Sequence, residues 1–148
     1  MVSKIAPNVL AGLALKVMAA SCGMRFLPFK DGLKAPVPWR AASLPINGGA
    51  PLSVGITSDE PGCFALASGL LQMPPSDLDA GMVEDSLREL LNMLAGQVKR
   101  AMSLDLALGL PQIVPPADVA MRIGGGHSKS VVVTAGSFQL MVWVTDRT

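Results

Sequence analysis

Glu89 and Asn92 are the pair of side chains in this sequence best placed to do chemistry together. They sit three residues apart in a run with helical periodicity, so both leave the same surface one turn apart. A carboxylate held there can grip a cationic group of a partner, and a carboxamide can orient a small polar molecule such as water. Asp85 lies one turn before Glu89, and Gly96 one turn after Asn92. Asn is a poor residue for the middle of a helix, which mildly favours a functional reason for Asn92. The plain alternative for the pair is a solvated helix face.

The element that must position them is a long helix from about Asp79 to Ser103. Val83, Leu87, Leu90, Leu91, Leu94, Val98 and Met102 recur in steps of three and four and draw one apolar stripe. Asp85, Arg88, Glu89, Asn92, Gly96 and Lys99 take the opposite face. Ser76 and the acids of Ser76-Asp77-Leu78-Asp79 suit a helix start, and Glu84 with Arg88 forms an i,i+4 pair in the favourable order. Farther on, Pro115-Pro116 stops the chain after a mixed apolar stretch.

Asp85, three residues, Glu89, two residues, Asn92, twenty-two residues and Pro115 resembles the motif of the CheC/CheX/FliY family of chemotaxis phosphatases, and Asn92-Met93-Leu94-Ala95-Gly96 resembles its usual continuation. The resemblance implies a phosphatase acting on a phosphorylated response regulator of the CheY type. Asn92 would then orient the attacking water, and Glu89 would pair with the regulator's active-site lysine. Asp85, Gly96 and Pro115 would belong to the partner-binding surface. It also implies Mg²⁺ on the partner, with no cofactor of the chain's own. The first helix offers only Ile5-Ala6-Pro7-Asn8, without a Glu. One motif in the second half resembles the CheX branch, whose members pair as homodimers. The alternative function is a non-catalytic docking module that binds a regulator or another signalling protein. A structural subunit of the FliY kind is the weaker third reading, since nothing resembles its appended switch domain.

Composition bounds the rest. At 148 residues the chain fits one domain spanning 1–148, with half its residues apolar. The formal net charge is +1, and four Phe and two Trp are the only aromatics, so a basic, base-stacking nucleic-acid surface is not expected. Cys22 and Cys63 are too few for a zinc site and read as buried thiols in a reducing, cytoplasmic setting. The segment from Lys4 to Cys22 faintly resembles a lipoprotein leader. Lys16 interrupts it, however, and Val9, Leu10, Leu13, Val17 and Ala20 fit one face of an amphipathic helix. No apolar run free of breaks reaches the ~20 residues that span a bilayer, so no membrane insertion is expected. His127 follows three glycines in a pattern that matches no phosphate-binding loop and reads as a hairpin loop. The nine Met read as core filler.

Between the helices, residues 24–30 read as a strand, Trp39 to Ile46 and Pro51 to Ser58 as a hairpin around Asn47-Gly48-Gly49, and Asp59-Glu60-Pro61-Gly62 as a turn. Cys63 to Met73 is open between a strand and a short helix. Val119 to Ile123, Lys129 to Thr134 and Ser137 to Thr145 read as strands. The order predicts a two-layer α/β (α+β) domain, with a largely antiparallel sheet and two long helices on one face, CheC/CheX-like by resemblance.

Overall fold

The structure is a computed structural model that describes residues 2–47, 52–105 and 107–146. Its elements are α1 (Pro7–Cys22), β1 (Arg40–Ile46), β2 (Leu52–Ser58), α2 (Glu60–Leu71), α3 (Ala80–Ala101), β3 (Gln112–Val114), α4 (Val119–Ile123), β4 (Ser128–Ala135) and β5 (Phe138–Asp146). The strands form one antiparallel sheet in the order β3-β1-β2-β5-β4. This is the predicted two-layer architecture, with α2 added beside the two long helices.

Alternation along the strands divides the sheet into two faces. Ala42, Leu44 and Ile46 of β1, Leu52, Val54 and Ile56 of β2, and Leu140, Val142 and Val144 of β5 join α1, α2 and α3 in the main core. The opposite face holds a smaller cluster of Ala41, Val114, Val119, Met141 and Trp143, capped by α4. Both faces are therefore covered at the sheet's centre, and all seven residues of β2 are buried. Trp143 lies over Gly55: a Cβ on that glycine would fall 2.0 Å from the indole ring. Pro45 is tolerated inside β1 because β3 pairs only with Ala41, Ala42 and Ser43. Past that point, the side of β1 that lacks the N–H meets Gly109, whose N–H donates to the Pro45 carbonyl at 2.6 Å.

Several local expectations give way to tertiary context. Residues 24–30 form no strand; they run irregularly beside β4, where the Leu27 N–H donates to the Thr134 carbonyl at 2.7 Å. Asp59-Glu60-Pro61-Gly62 opens α2 instead of making a turn, with Asp59 capping through the Gly62 N–H at 2.8 Å. Residues 63–71 are helical throughout. Val119–Ile123 is a short helix and no strand. On α1 the buried residues are Leu10, Ala11, Ala14, Val17, Met18 and Cys22, so the apolar face is rotated from the expected one, and Val9 is 44% exposed. The Gly48-Gly49 turn lies outside the described residues. Cys22 and Cys63 are free thiols and both are buried. Among the described residues, no helix is long and apolar enough to cross a membrane.

Candidate functional site

The site is built on α3, a 22-residue helix. Its first free N–H groups are met by Asp79, whose carboxylate accepts from the Met82 N–H at 2.8 Å. This differs from the expected start, because Ser76 falls within a separate 3₁₀ turn. Lys99 and Arg100 in the last turn complement the helix dipole. The buried stripe is Val83, Ser86, Leu87, Leu90, Leu91, Leu94, Ala95 and Val98. The Ser86 hydroxyl is satisfied within that stripe because it donates to the Met82 carbonyl at 2.9 Å. Each fully buried Leu contributes roughly 1.5–3 kcal/mol, so the helix is anchored along its length. The opposite face inherits that rigidity.

On that face Asp85, Glu89 and Asn92 are exposed, and Gly96 is half-buried. Among the described residues, the Glu89 and Asn92 side chains make no intramolecular hydrogen bond or ion pair. They are a carboxylate and a carboxamide presented to solvent with their hydrogen-bonding capacity unspent. Asp85 is tied locally: Arg88 donates to its Oδ1 at 2.7 Å, an exposed pair of the kind worth about 0–1 kcal/mol. The expected Glu84–Arg88 pair does not form, since Glu84 accepts from the Arg40 Nε at 3.0 Å instead. Arg40 also lies 4.1 Å from the centre of the Trp39 ring, and Trp39 packs against Phe64 of α2 at 5.3 Å. This clamp joins the N-terminal half of α3 to the start of β1. No sequence signal reveals it, because its partners lie 44 residues apart.

A Cβ on Gly96 would meet nothing within 4 Å. The glycine is therefore not required by packing inside the chain. Beyond it, Gly96, Lys99, Arg100, Leu104 and Leu108 border a depression of about 350 Å³. Pro115 stands apart from the helix stripe. It follows Val114, whose partner in β1 is Ala41, next to the Arg40 that holds Glu84. Its carbonyl accepts from the Asp118 N–H at 2.9 Å and sets the 3₁₀ turn leading to α4. The structure thus brings Asp85, Glu89, Asn92 and Gly96 onto one helix face and puts Pro115 on a separate connection. Among the described residues no group of three or more His, Cys, Asp and Glu side chains gathers in a metal-binding arrangement.

Comparison with known proteins bears on this geometry. No curated protein matches the chain. Solved structures do match in fold. A chain of the CheX–CheY–BeF3–Mg²⁺ complex of Borrelia burgdorferi is 19% identical, with a TM-score of 0.71 over 94% of this chain and 96% of that one. The chemotaxis protein CheX of Vibrio vulnificus is 16% identical, with a TM-score of 0.71 over 97% and 96%. The chemotaxis protein CheX of Desulfovibrio desulfuricans is 16% identical, with a TM-score of 0.69 over 93% and 96%. At these identities the likeness speaks for the fold. The family described as chemotaxis phosphatase CheX matches residues 40–135, well over half of the sequence and a span that includes Asp85, Glu89, Asn92 and Pro115. With that match laid over the same two-layer fold, the chain belongs to the CheX family of chemotaxis phosphatases.

Proposed function

We propose that this protein hydrolyses the aspartyl phosphate of a CheY-like response regulator, with Asn92 orienting the attacking water and Glu89 gripping the regulator. The observation that carries this reading is the free, exposed Glu89/Asn92 pair on a helix fixed by its buried face. Hydrolysis of an acyl phosphate needs a water in line with the phosphorus–oxygen bond that breaks. Water's oxygen bonds to phosphorus, the aspartate leaves as a carboxylate, and inorganic phosphate is released. Positioning and electrostatics dominate such a reaction. The Asn92 carboxamide oxygen accepts from the water while its NH₂ remains free to donate, and neither needs a tuned pKa. Glu89 forms a charge-assisted contact with the regulator's lysine and sets the register of docking. Mg²⁺ sits on the regulator; the structure from Borrelia burgdorferi contains CheX, CheY, BeF3 and Mg²⁺ together. Asp85, through its pairing with Arg88, and the open surface at Gly96 extend the contact, and Pro115 shapes the connection beside it. The protein acts in the cytoplasm as a homodimer, which light scattering in solution tests.

The test is the decay of phosphorylated regulator in the presence of Mg²⁺, with wild-type protein, with Asn92→Ala and with neither. Acceleration that Asn92→Ala removes supports the proposal. Binding of the regulator without acceleration points to the docking module.

A further inference from the structure

The face of the sheet away from α3 carries a polar depression that the function above does not use. Strand register sets one row of outward residues across all five strands: Gln112, Ser43, Gly55, Trp143 and Ser130. Beside Gly55 in that row, Ser43, Pro45, Ser53, Gln112, Val114 and Arg122 enclose about 270 Å³. Arg122 comes from α4, and its Nη1 lies 3.5 Å from the Ser43 hydroxyl oxygen. It forms no ion pair among the described residues. Ser43 and Ser53 are only 7% and 5% exposed, and Ser53 makes no side-chain hydrogen bond among the described residues. Close by, the Trp143 indole N–H is buried without a partner, 2.6 Å from where a Gly55 Cβ would stand.

We infer that this depression is a binding site for a small oxyanion, a phosphate or a carboxylate, with the Arg122 guanidinium as its principal ligand. The lining holds a planar cation with five N–H donors, two hydroxyls and a carboxamide, and no carboxylate. Such a donor set matches an anion's oxygens through charge-assisted hydrogen bonds. An oxyanion would supply acceptors to the Arg122 guanidinium, whose one side-chain partner is the Ser43 hydroxyl, and to the Ser53 hydroxyl, which has none among the described residues. The site is independent of the phosphatase reading, since it lies on the far side of the sheet and uses none of the α3 residues.

Trp143 makes the test direct. In a Trp39→Phe background a single indole N–H remains, because the chain has two Trp. Its ¹H–¹⁵N resonance is followed while inorganic phosphate, and separately malonate, is added at constant ionic strength. The expected result is a saturating displacement of that resonance and of the Ser43 and Ser53 amides. Arg122→Gln is expected to weaken it about tenfold or more, the cost of one charge-assisted contact. Saturation with phosphate alone marks a phosphate ligand, and saturation with malonate alone a carboxylate ligand. Should Arg122→Gln lose its dispersed spectrum, Ser53→Ala carries the same comparison with a several-fold weakening. Linear drift with both anions, saturation unchanged in the variant, or saturating shifts confined to other basic surfaces would overturn the inference.

Discussion

Asn92 and Glu89 stand one turn apart and are both free, yet the chemistry asks different things of them. In the proposed reaction Asn92 holds the attacking water, so Asn92→Ala is expected to slow regulator dephosphorylation by about 100-fold or more, the scale of a misplaced reactant. Its binding of the regulator is expected to be nearly unchanged. Glu89 is proposed to serve docking as well, so Glu89→Ala is expected to weaken both binding and turnover. Titrating the regulator against each variant separates the two effects. The pair and its spacing to Asp85 were legible in the sequence because a helix turns separation into proximity by a fixed rule. Arg40 was not legible. Its contact with Glu84 depends on where β1 meets α3, and no local rule connects residues 40 and 84. For the same reason Arg88 was assigned to Glu84 in the sequence and is found on Asp85.

At the scale of the element, α3 was readable because its apolar stripe recurs from Val83 to Val98, about four turns. The shorter helices were not. The buried positions of α2 include Gly62, Cys63, Leu66 and Ala67, while much of its remaining surface is also apolar, so no clean period shows. Asp59-Glu60-Pro61-Gly62 suits a turn and a capped helix start equally well, since both favour acids and Pro. The five residues of α4 are too few to display a helical period. Asp79→Ala removes the cap of α3 and is expected to cost about 1 kcal/mol, read as a lower urea midpoint. Gly96→Ala meets open space in a helix interior and is expected to stabilise the fold by about 0.5–1 kcal/mol. If the partner's backbone approaches there, the same variant loses regulator affinity while gaining stability. Unchanged affinity would remove Gly96 from the contact surface.

At the scale of the whole molecule, the covered sheet explains which residues cannot change. The class of fold followed from the element order, but the second covering of the sheet did not, because it depends on α4 and on Trp143 filling the space over Gly55. Gly55→Ala is expected to destabilise by about 1–3 kcal/mol, since the added methyl falls on the indole ring. The two thiols give the fold a pH dependence. Burial raises both Cys22 and Cys63 from 9.0 to about 11. An unfolded chain ionises them near 9, so their contribution is present in full below that pH and is lost as pH rises through about 11. Urea midpoints are expected to fall across that window, and to fall less in a Cys22→Ala/Cys63→Ala variant. The central claim remains the reaction itself. Its most direct measurement is the lifetime of a phosphorylated CheY-like regulator from the same cell, with Mg²⁺, mixed with this protein or with Asn92→Ala. The proposed reaction requires a shortened lifetime with the wild type and the intrinsic lifetime with the variant. Equal shortening by both would contradict it, because hydrolysis would then proceed without the side chain held responsible for the water.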